Sequence, residues 1–96
     1  MKLLRVEKLH GDKHKYKAVF ETDEGRERST KFGFSGMDDF TLTKDIQQRD
    51  NYRSRHAKDL RTRDATRAGY LSYYLLWGDS TSLQKNIASY RAKFGL

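Results

Sequence analysis

The 96-residue chain contains no cysteine and no long apolar run. The absence of cysteine excludes a disulfide framework, a redox dithiol and a thiolate metal site. No segment approaches the roughly 18 consecutive apolar residues of a membrane-spanning helix. Residues 1–5 become charged too early for a secretory signal peptide. We therefore expect a protein that is neither secreted nor integral to a membrane.

Hydrophobic residues are also few, at 35% of the chain, so the core must be thin. Aromatic residues nevertheless make up 12%, which is unlike a disordered chain. The length fits one small domain covering residues 1–96. The apolar stretch Tyr70–Trp77 lies at helical spacing, so we expect it to be core rather than a ligand site.

The first third of the chain has the pattern of a β-meander, in residues 1–34. Apolar side chains alternate with polar ones in three segments: residues 3–9, 15–21 and 28–34. Leu4 and Val6 would share one face of the first strand, and Phe32 and Phe34 one face of the third. Gly25 fits the left-handed position of a hairpin loop. An open sheet this small is marginal by itself and needs a cover.

The cover is predicted in residues 43–96, after a linker at 35–42. Three helices are indicated: residues 43–58, 67–77, and a last helix after a Thr81–Gln84 capping box. The predicted N-caps of the first two are Thr43 and Thr66. The first helix has a weak apolar stripe of Ile46, Tyr52 and Ala57. The predicted fold is α+β, with a three-stranded antiparallel meander followed by three helices packed on one of its faces.

The charge is concentrated in residues 44–67, here called the basic segment. The chain has 20 basic and 13 acidic residues, for a net charge of +7, and the basic segment alone holds eight basic and four acidic ones. Six of those eight are arginines, whose planar fork suits phosphate oxygens. The candidate nucleic-acid-binding residues are Lys44, Arg49, Tyr52, Arg53, Arg55, His56, Lys58, Arg61, Arg63 and Arg67.

The same charges admit a simpler interpretation. Asp45 with Arg49 and Asp59 with Arg63 have the spacing of helical ion pairs, which would leave only a solvated face. Arginine-rich surfaces also bind acidic proteins. Both alternatives remain open at this point.

The sequence contains no recognisable pattern of side chains for a catalytic, metal or phosphate-binding site. His10 and His14 flank a turn without a third metal ligand, so a solvated loop is expected there. Asp38 and Asp39 are adjacent and would point apart. The glycine-containing segment at residues 32–36 lacks the Lys-Ser/Thr of a phosphate loop. We predict no enzyme, no metal site and no cofactor.

From residue 32 onward the sequence carries three linked motifs: Phe32-Gly33-x-x-Gly36-x-x-Asp39-Phe40-Thr41, Arg49-x-x-Tyr52-x-x-Arg55-His56 and Ala68-Gly69-x-Leu71-Ser72-x-x-Leu75-Leu76-Trp77. This order resembles a family of short basic proteins encoded by large double-stranded DNA viruses of algae and protists. The segment at residues 78–81 departs from that family. The resemblance implies a viral setting, in the virion or in a virus factory of the host cytoplasm. It implies no activity and no functional residues.

Two functions follow as hypotheses. The first is a non-catalytic protein that binds nucleic acid, expected to be DNA, through backbone phosphates with low sequence specificity, as genome packaging requires. The alternative is a virion structural or adaptor protein whose basic segment contacts an acidic protein surface.

Overall fold

The computed structural model describes residues 1–96 and has the predicted α+β architecture. An antiparallel sheet in the order β1-β2-β3 is followed by helices. The strands are β1 (Lys2–Lys8), β2 (His14–Glu21) and β3 (Glu27–Phe34). The helical elements are α1 (Phe40–Thr43), α2 (Ile46–His56), a 3₁₀ helix (Ala57–Thr62), α3 (Ala68–Leu71), a π-helical turn (Ser72–Leu76) and α4 (Leu83–Phe94). None of these helices combines the length and apolar character needed to cross a bilayer.

The inner face of the sheet follows the predicted alternation in β2, where Ala18 and Phe20 are fully buried. In β1 the prediction for Leu4 is wrong. Leu3 pairs with Phe20 and Val6 with Ala18, so one extra residue between them forms a bulge at Leu4. The bulge places Leu3, which is 3% exposed, in the core.

The outer edge of β1 is paired at Leu3 and Leu4 by residues of the last helix and beyond. The Arg91 guanidinium donates from Nε to the Leu3 carbonyl at 3.0 Å and from Nη2 to the Leu4 carbonyl at 3.1 Å. The Leu3 N–H donates to the Leu96 carbonyl at 3.1 Å. Three backbone groups near the start of this edge strand, which would otherwise be left unpaired, are therefore satisfied.

The hairpin between β2 and β3 confirms its prediction. Gly25 has φ +80°, and its N–H donates to the Thr22 carbonyl at 2.9 Å. An L-residue side chain is strained in that conformation, so glycine suits the position.

The core lies between the inner face of the sheet and the second half of the chain. Aromatic side chains supply much of its volume, as the composition suggested, with Phe20, Phe32 and Tyr90 each at most 1% exposed. Tyr70 and Trp77 are each 7% exposed, which confirms the core prediction for the ends of that stretch.

The predicted linker contains a helix, and α2 begins later than predicted. The buried Asp39 carboxylate accepts the Thr41 N–H at 2.9 Å and thereby caps α1. α2 is capped by Asp45, which accepts the Gln48 N–H at 3.1 Å. Thr43 is therefore the end of one helix rather than the cap of the next.

The two later caps also differ from prediction. Thr66 donates its hydroxyl to Asp64 at 2.6 Å, and α3 starts beyond it without a side-chain cap. α4 is capped by Ser82, which accepts the Lys85 N–H at 3.3 Å, so Thr81 lies one residue outside.

The predicted helix 67–77 changes from α to π geometry at Ser72. The Trp77 N–H donates to the Ser72 carbonyl at 3.1 Å, five residues back. The buried Asn86 amide then donates to the carbonyls of Leu75 and Ser80, at 3.0 and 2.8 Å, and accepts the Ser80 N–H at 3.0 Å. One side chain of α4 thus fixes the turn that follows the π-helical segment.

Candidate functional site

α2 has no fully buried residue, and the predicted apolar stripe does not form. Ile46 is 59% exposed, and Ala57 is also exposed. Tyr52 is the apolar contact, because its ring stacks on Trp77 with centroids 4.4 Å apart and planes 9° apart. The helix is held mainly by aromatic stacking and by arginines.

Two of the candidate arginines point into the fold rather than outward. The Arg49 guanidinium lies 4.8 Å from the Phe40 ring centroid, and its side chain is 17% exposed. Arg53 donates to the Trp77 carbonyl at 2.7 Å and to Asp79 at 2.9 Å, and this guanidinium lowers the pKa of the Asp79 carboxyl. Arg49 and Arg53 therefore fix α2 to the rest of the protein.

Five candidate cations remain exposed without an acidic partner. We call them the open cations: Lys44, Arg55, Lys58, Arg61 and Arg63. Lys58 and Arg61 are three residues apart on the 3₁₀ helix, where such side chains eclipse one another on one face. The tenth candidate, Arg67, lies 3.6 Å from Asp64.

The predicted ion pairs are absent because their acids have other partners. Asp45 caps α2, and Asp59 binds His56 at 2.9 Å between Oδ2 and Nδ1. Arg63 takes a left-handed conformation, φ 53°, at the end of the 3₁₀ helix. Arg49 pairs instead with its neighbour Asp50, at 3.2 Å between Nε and Oδ1, and Arg63 makes no ion pair.

A cleft of about 630 Å³ has one of the open cations, Arg55, in its lining. It opens where the inner face of the sheet continues past the core, between the end of β3 and the helices α2 and α3. Phe32, Leu76 and Trp77 give it apolar walls, and Gln48 and Arg55 contribute polar groups from α2.

One wall of the cleft is an aromatic stack. Tyr52 lies between Trp77 and His56, and its centroid is 4.1 Å from that of the imidazole, with planes 20° apart. Burial raises the pKa of the Tyr52 hydroxyl to about 12. Because the Asp59 carboxylate only accepts, the His56 Nδ1–H donates to it, which fixes the orientation of the ring.

The opposite wall is the end of β3. Phe34 stacks on His14 across the strand pair, with centroids 5.4 Å apart, yet it remains 62% exposed. It lies on the predicted face with Phe32, because the pairs His14–Phe34 and Tyr16–Phe32 are two residues apart on both strands.

Gly33 lets the two walls approach. Its φ is +71°, and a Cβ at this position would lie 2.8 Å from Cδ1 of Leu76. Both the backbone conformation and the space therefore require glycine. Gly36, just beyond the end of β3, also has a positive φ, +84°.

The loop between β3 and α1 is anchored by a buried ion pair. The Asp39 side chain, 2% exposed, accepts from Lys15 Nζ at 2.6 Å, and the Lys15 side chain is 13% exposed. Lys15, Gly36 and Met37 all line the cleft. Asp39 thus positions one rim of the cleft without lining it.

Sequence reasoning missed the cleft, although a signal was present. Each of the three linked motifs contributes to its lining, for example through Gly33, His56, Gly69 and Trp77. The structure brings together no group of three or more side chains able to hold a metal ion.

Comparison with known proteins identifies a family for the chain. A model described as "Family of unknown function (DUF5754)" matches residues 4–56, which is more than half of the 96 residues. The chain belongs to the DUF5754 family. The matched part carries the sheet except for the first two residues of β1, together with α1 and α2, and so includes two sides of the cleft. No curated protein and no solved structure matches the chain.

Proposed function

We propose that the chain is a non-catalytic nucleic-acid-binding protein that contacts backbone phosphates through its open cations. The observation that carries this proposal is that five cations of the basic segment have no acidic partner, although the segment contains four acids. Three of the five are arginines, which can bind phosphate with two parallel hydrogen bonds. Phosphate contacts of this kind give affinity with little sequence specificity.

Exposed cations are often only solvated, so their contribution must be measured through salt dependence. Each phosphate neutralised on duplex DNA contributes about −0.9 to the slope of log K against log salt concentration. If all five open cations bind, the slope is about −4.5. A merely solvated face gives no such dependence on a defined set of residues.

The experiment is a fluorescence-anisotropy titration of short labelled duplex and single-stranded DNA at several salt concentrations. Lys58→Glu with Arg61→Glu should weaken binding to all sequences alike and make the slope less negative by about 2. Both side chains are exposed and project from one face of the 3₁₀ helix, so the fold should tolerate the change.

The matched control is Lys2→Glu with Lys8→Glu on β1. These two lysines are also exposed and make no ion pair, and the change in net charge is the same. Absent binding at low salt, affinity indifferent to salt, or equal effects of the two double variants would each contradict the proposal.

The setting of this binding rests on the resemblance to proteins of large DNA viruses. In a virion or virus factory, the proposed ligand is DNA and the proposed role is genome packaging. Immunoprecipitation of the protein from infected cells, followed by sequencing of bound DNA and RNA, tests this. Recovery of viral DNA without sequence preference supports it, and exclusive recovery of RNA contradicts it.

The alternative proposal, an adaptor that contacts an acidic protein surface, is favoured by one observation. Leu42 and Ile46, which flank Lys44 in the sequence, are 64% and 59% exposed. Apolar side chains beside a cation suit a protein partner better than a phosphate backbone. A photo-cross-linker at Leu42 should then capture an acidic protein in purified virions, whereas capture of DNA alone would exclude the adaptor.

A further inference from the structure

Phe34 is the unusual feature of the cleft. Its ring stacks on His14, and yet 62% of the residue remains exposed at the edge of a concave surface. Singly exposed apolar residues are common, but this one lines a cleft together with further aromatic rings. An exposed aromatic ring is the usual platform on which an unpaired base stacks.

The cleft has a suitable size and lining for a flat heterocycle. Its volume of about 630 Å³ falls within the range of small-molecule sites. Phe34 and Met37, which are 62% and 63% exposed, offer apolar surface to the faces of a ring. Gln48 and Ser72 also line the cleft and carry donors and acceptors that suit the polar edge of a base.

Two carboxylates, Asp38 and Asp59, line the cleft, so the cations that suit a polyanion lie along its α2 rim. Arg55 lines the cleft and is also one of the open cations. Lys58 and Arg61 follow within two turns on the 3₁₀ helix. A nucleotide whose base entered the cleft would therefore have cations close to its phosphate and to those of its neighbours.

The geometry points to a single-stranded nucleic acid as the ligand, with one unpaired base inserted into the cleft against Phe34 and the adjacent phosphates on the open cations. This inference rests on the proposed function and adds the class of strand. A duplex keeps its bases paired and stacked, and taking one out costs free energy. The protein should therefore bind single strands more tightly than duplexes of the same sequence.

The test uses three probes: a single-stranded oligothymidylate, its duplex with oligoadenylate, and thymidine monophosphate. Trp77 is the only tryptophan of the chain and forms part of the cleft wall, stacked on Tyr52, so its fluorescence should change when a ligand alters that wall. Anisotropy of the labelled strands reports affinity independently. The monophosphate distinguishes a free nucleotide from a strand as the source of the base.

Phe34→Ala removes the platform, and Leu42→Ala is its matched control. Leu42 is 64% exposed and does not line the cleft, so both variants truncate an exposed apolar side chain. Loss of one stacked base should weaken single-strand binding by about 5- to 150-fold. Duplex affinity and the salt slope should stay unchanged in Phe34→Ala, and Leu42→Ala should resemble the wild type.

Four outcomes are informative. Single-strand preference, a change in Trp77 emission and a selective loss in Phe34→Ala support the inference. Salt-dependent binding that is equal for single strand and duplex, with Phe34→Ala equal to Leu42→Ala, overturns the inference and leaves the proposed function intact. Monophosphate binding as tight as strand binding would identify a free nucleotide as the ligand. That result contradicts the inference that the ligand is a single strand. No response of Trp77 or of anisotropy to any probe overturns both.

Discussion

Asp39→Ala should be one of the most destabilising single substitutions in the chain. The carboxylate is 2% exposed and accepts from Lys15 Nζ at 2.6 Å and from the Thr41 N–H at 2.9 Å, with a further short hydrogen bond from the Thr41 hydroxyl. Its removal leaves the Lys15 ammonium, whose side chain is only 13% exposed, without a counter-charge. It also removes the cap of α1.

The magnitude follows from these two losses. Breaking a buried ion pair by removing one partner costs about 3–5 kcal/mol, and loss of an N-cap costs about 1 kcal/mol. Because Lys15 retains some contact with water, the lower end of the first range applies, and the total is about 4 kcal/mol. For a domain of this size, the expected fall in Tm is about 15–30 °C.

A double-mutant cycle tests the reasoning. Lys15→Met with Asp39→Ala removes both charges, so it should be no less stable than Asp39→Ala alone, with a coupling above about 1 kcal/mol. Asp38→Ala is the control, because this neighbouring carboxylate is exposed and its loss should cost less than about 0.5 kcal/mol. Urea and thermal unfolding measure five proteins: the wild type, Lys15→Met, Asp39→Ala, the double variant and Asp38→Ala. Additive effects, or an Asp39→Ala cost as small as that of Asp38→Ala, would refute the argument.

Two further predictions concern Asn86 and Tyr52. Asn86→Ala removes three hydrogen bonds, at 2.8–3.0 Å, and should lower the free energy of unfolding, measured in urea, by about 3 kcal/mol. Gln84→Ala is the control, because Gln84 is exposed on the same helix. Equal losses in the two variants would contradict the role of Asn86. The Tyr52 hydroxyl has a pKa raised to about 12, so its contribution to stability is complete below its unfolded pKa of about 10 and is lost as pH rises towards 12. Tyrosinate absorbance should show that Tyr52→Phe removes a late-titrating group, and loss of one that titrates at the ordinary value would contradict the buried position.

Local patterns predicted the parts of the fold whose causes are local. The alternation around Ala18 and Phe20 reports which face is buried, because successive strand side chains point to opposite faces. Gly25 was predictable because the hairpin loop itself demands a positive φ. The bulge at Leu4 was not, since it accompanies hydrogen bonds from Arg91, 87 and 88 residues away in the chain.

In the candidate site, too, the features with local causes were predictable and those that depend on distant residues were not. Composition located the basic segment, but the roles of its residues depend on distant partners. Arg49 points inward because its guanidinium packs on the Phe40 ring, and Arg53 does so because it donates to the Trp77 carbonyl. The cleft draws its walls from β3, α2 and α3, and no single segment contains its pattern. Only the three motifs, taken together, could have indicated that distant residues share a site.

The closure of β1 by Arg91 and Leu96 has a consequence for synthesis of the protein. During translation β1 leaves the ribosome about 90 residues before the groups that bond to its outer edge at Leu3 and Leu4. Until residues 91–96 emerge, the nascent sheet exposes an unpaired edge that another nascent chain could extend. Arg91 therefore completes this edge of the sheet. Its replacement should mainly lower the yield of soluble protein during synthesis, and should have only a small effect on the stability of the folded product.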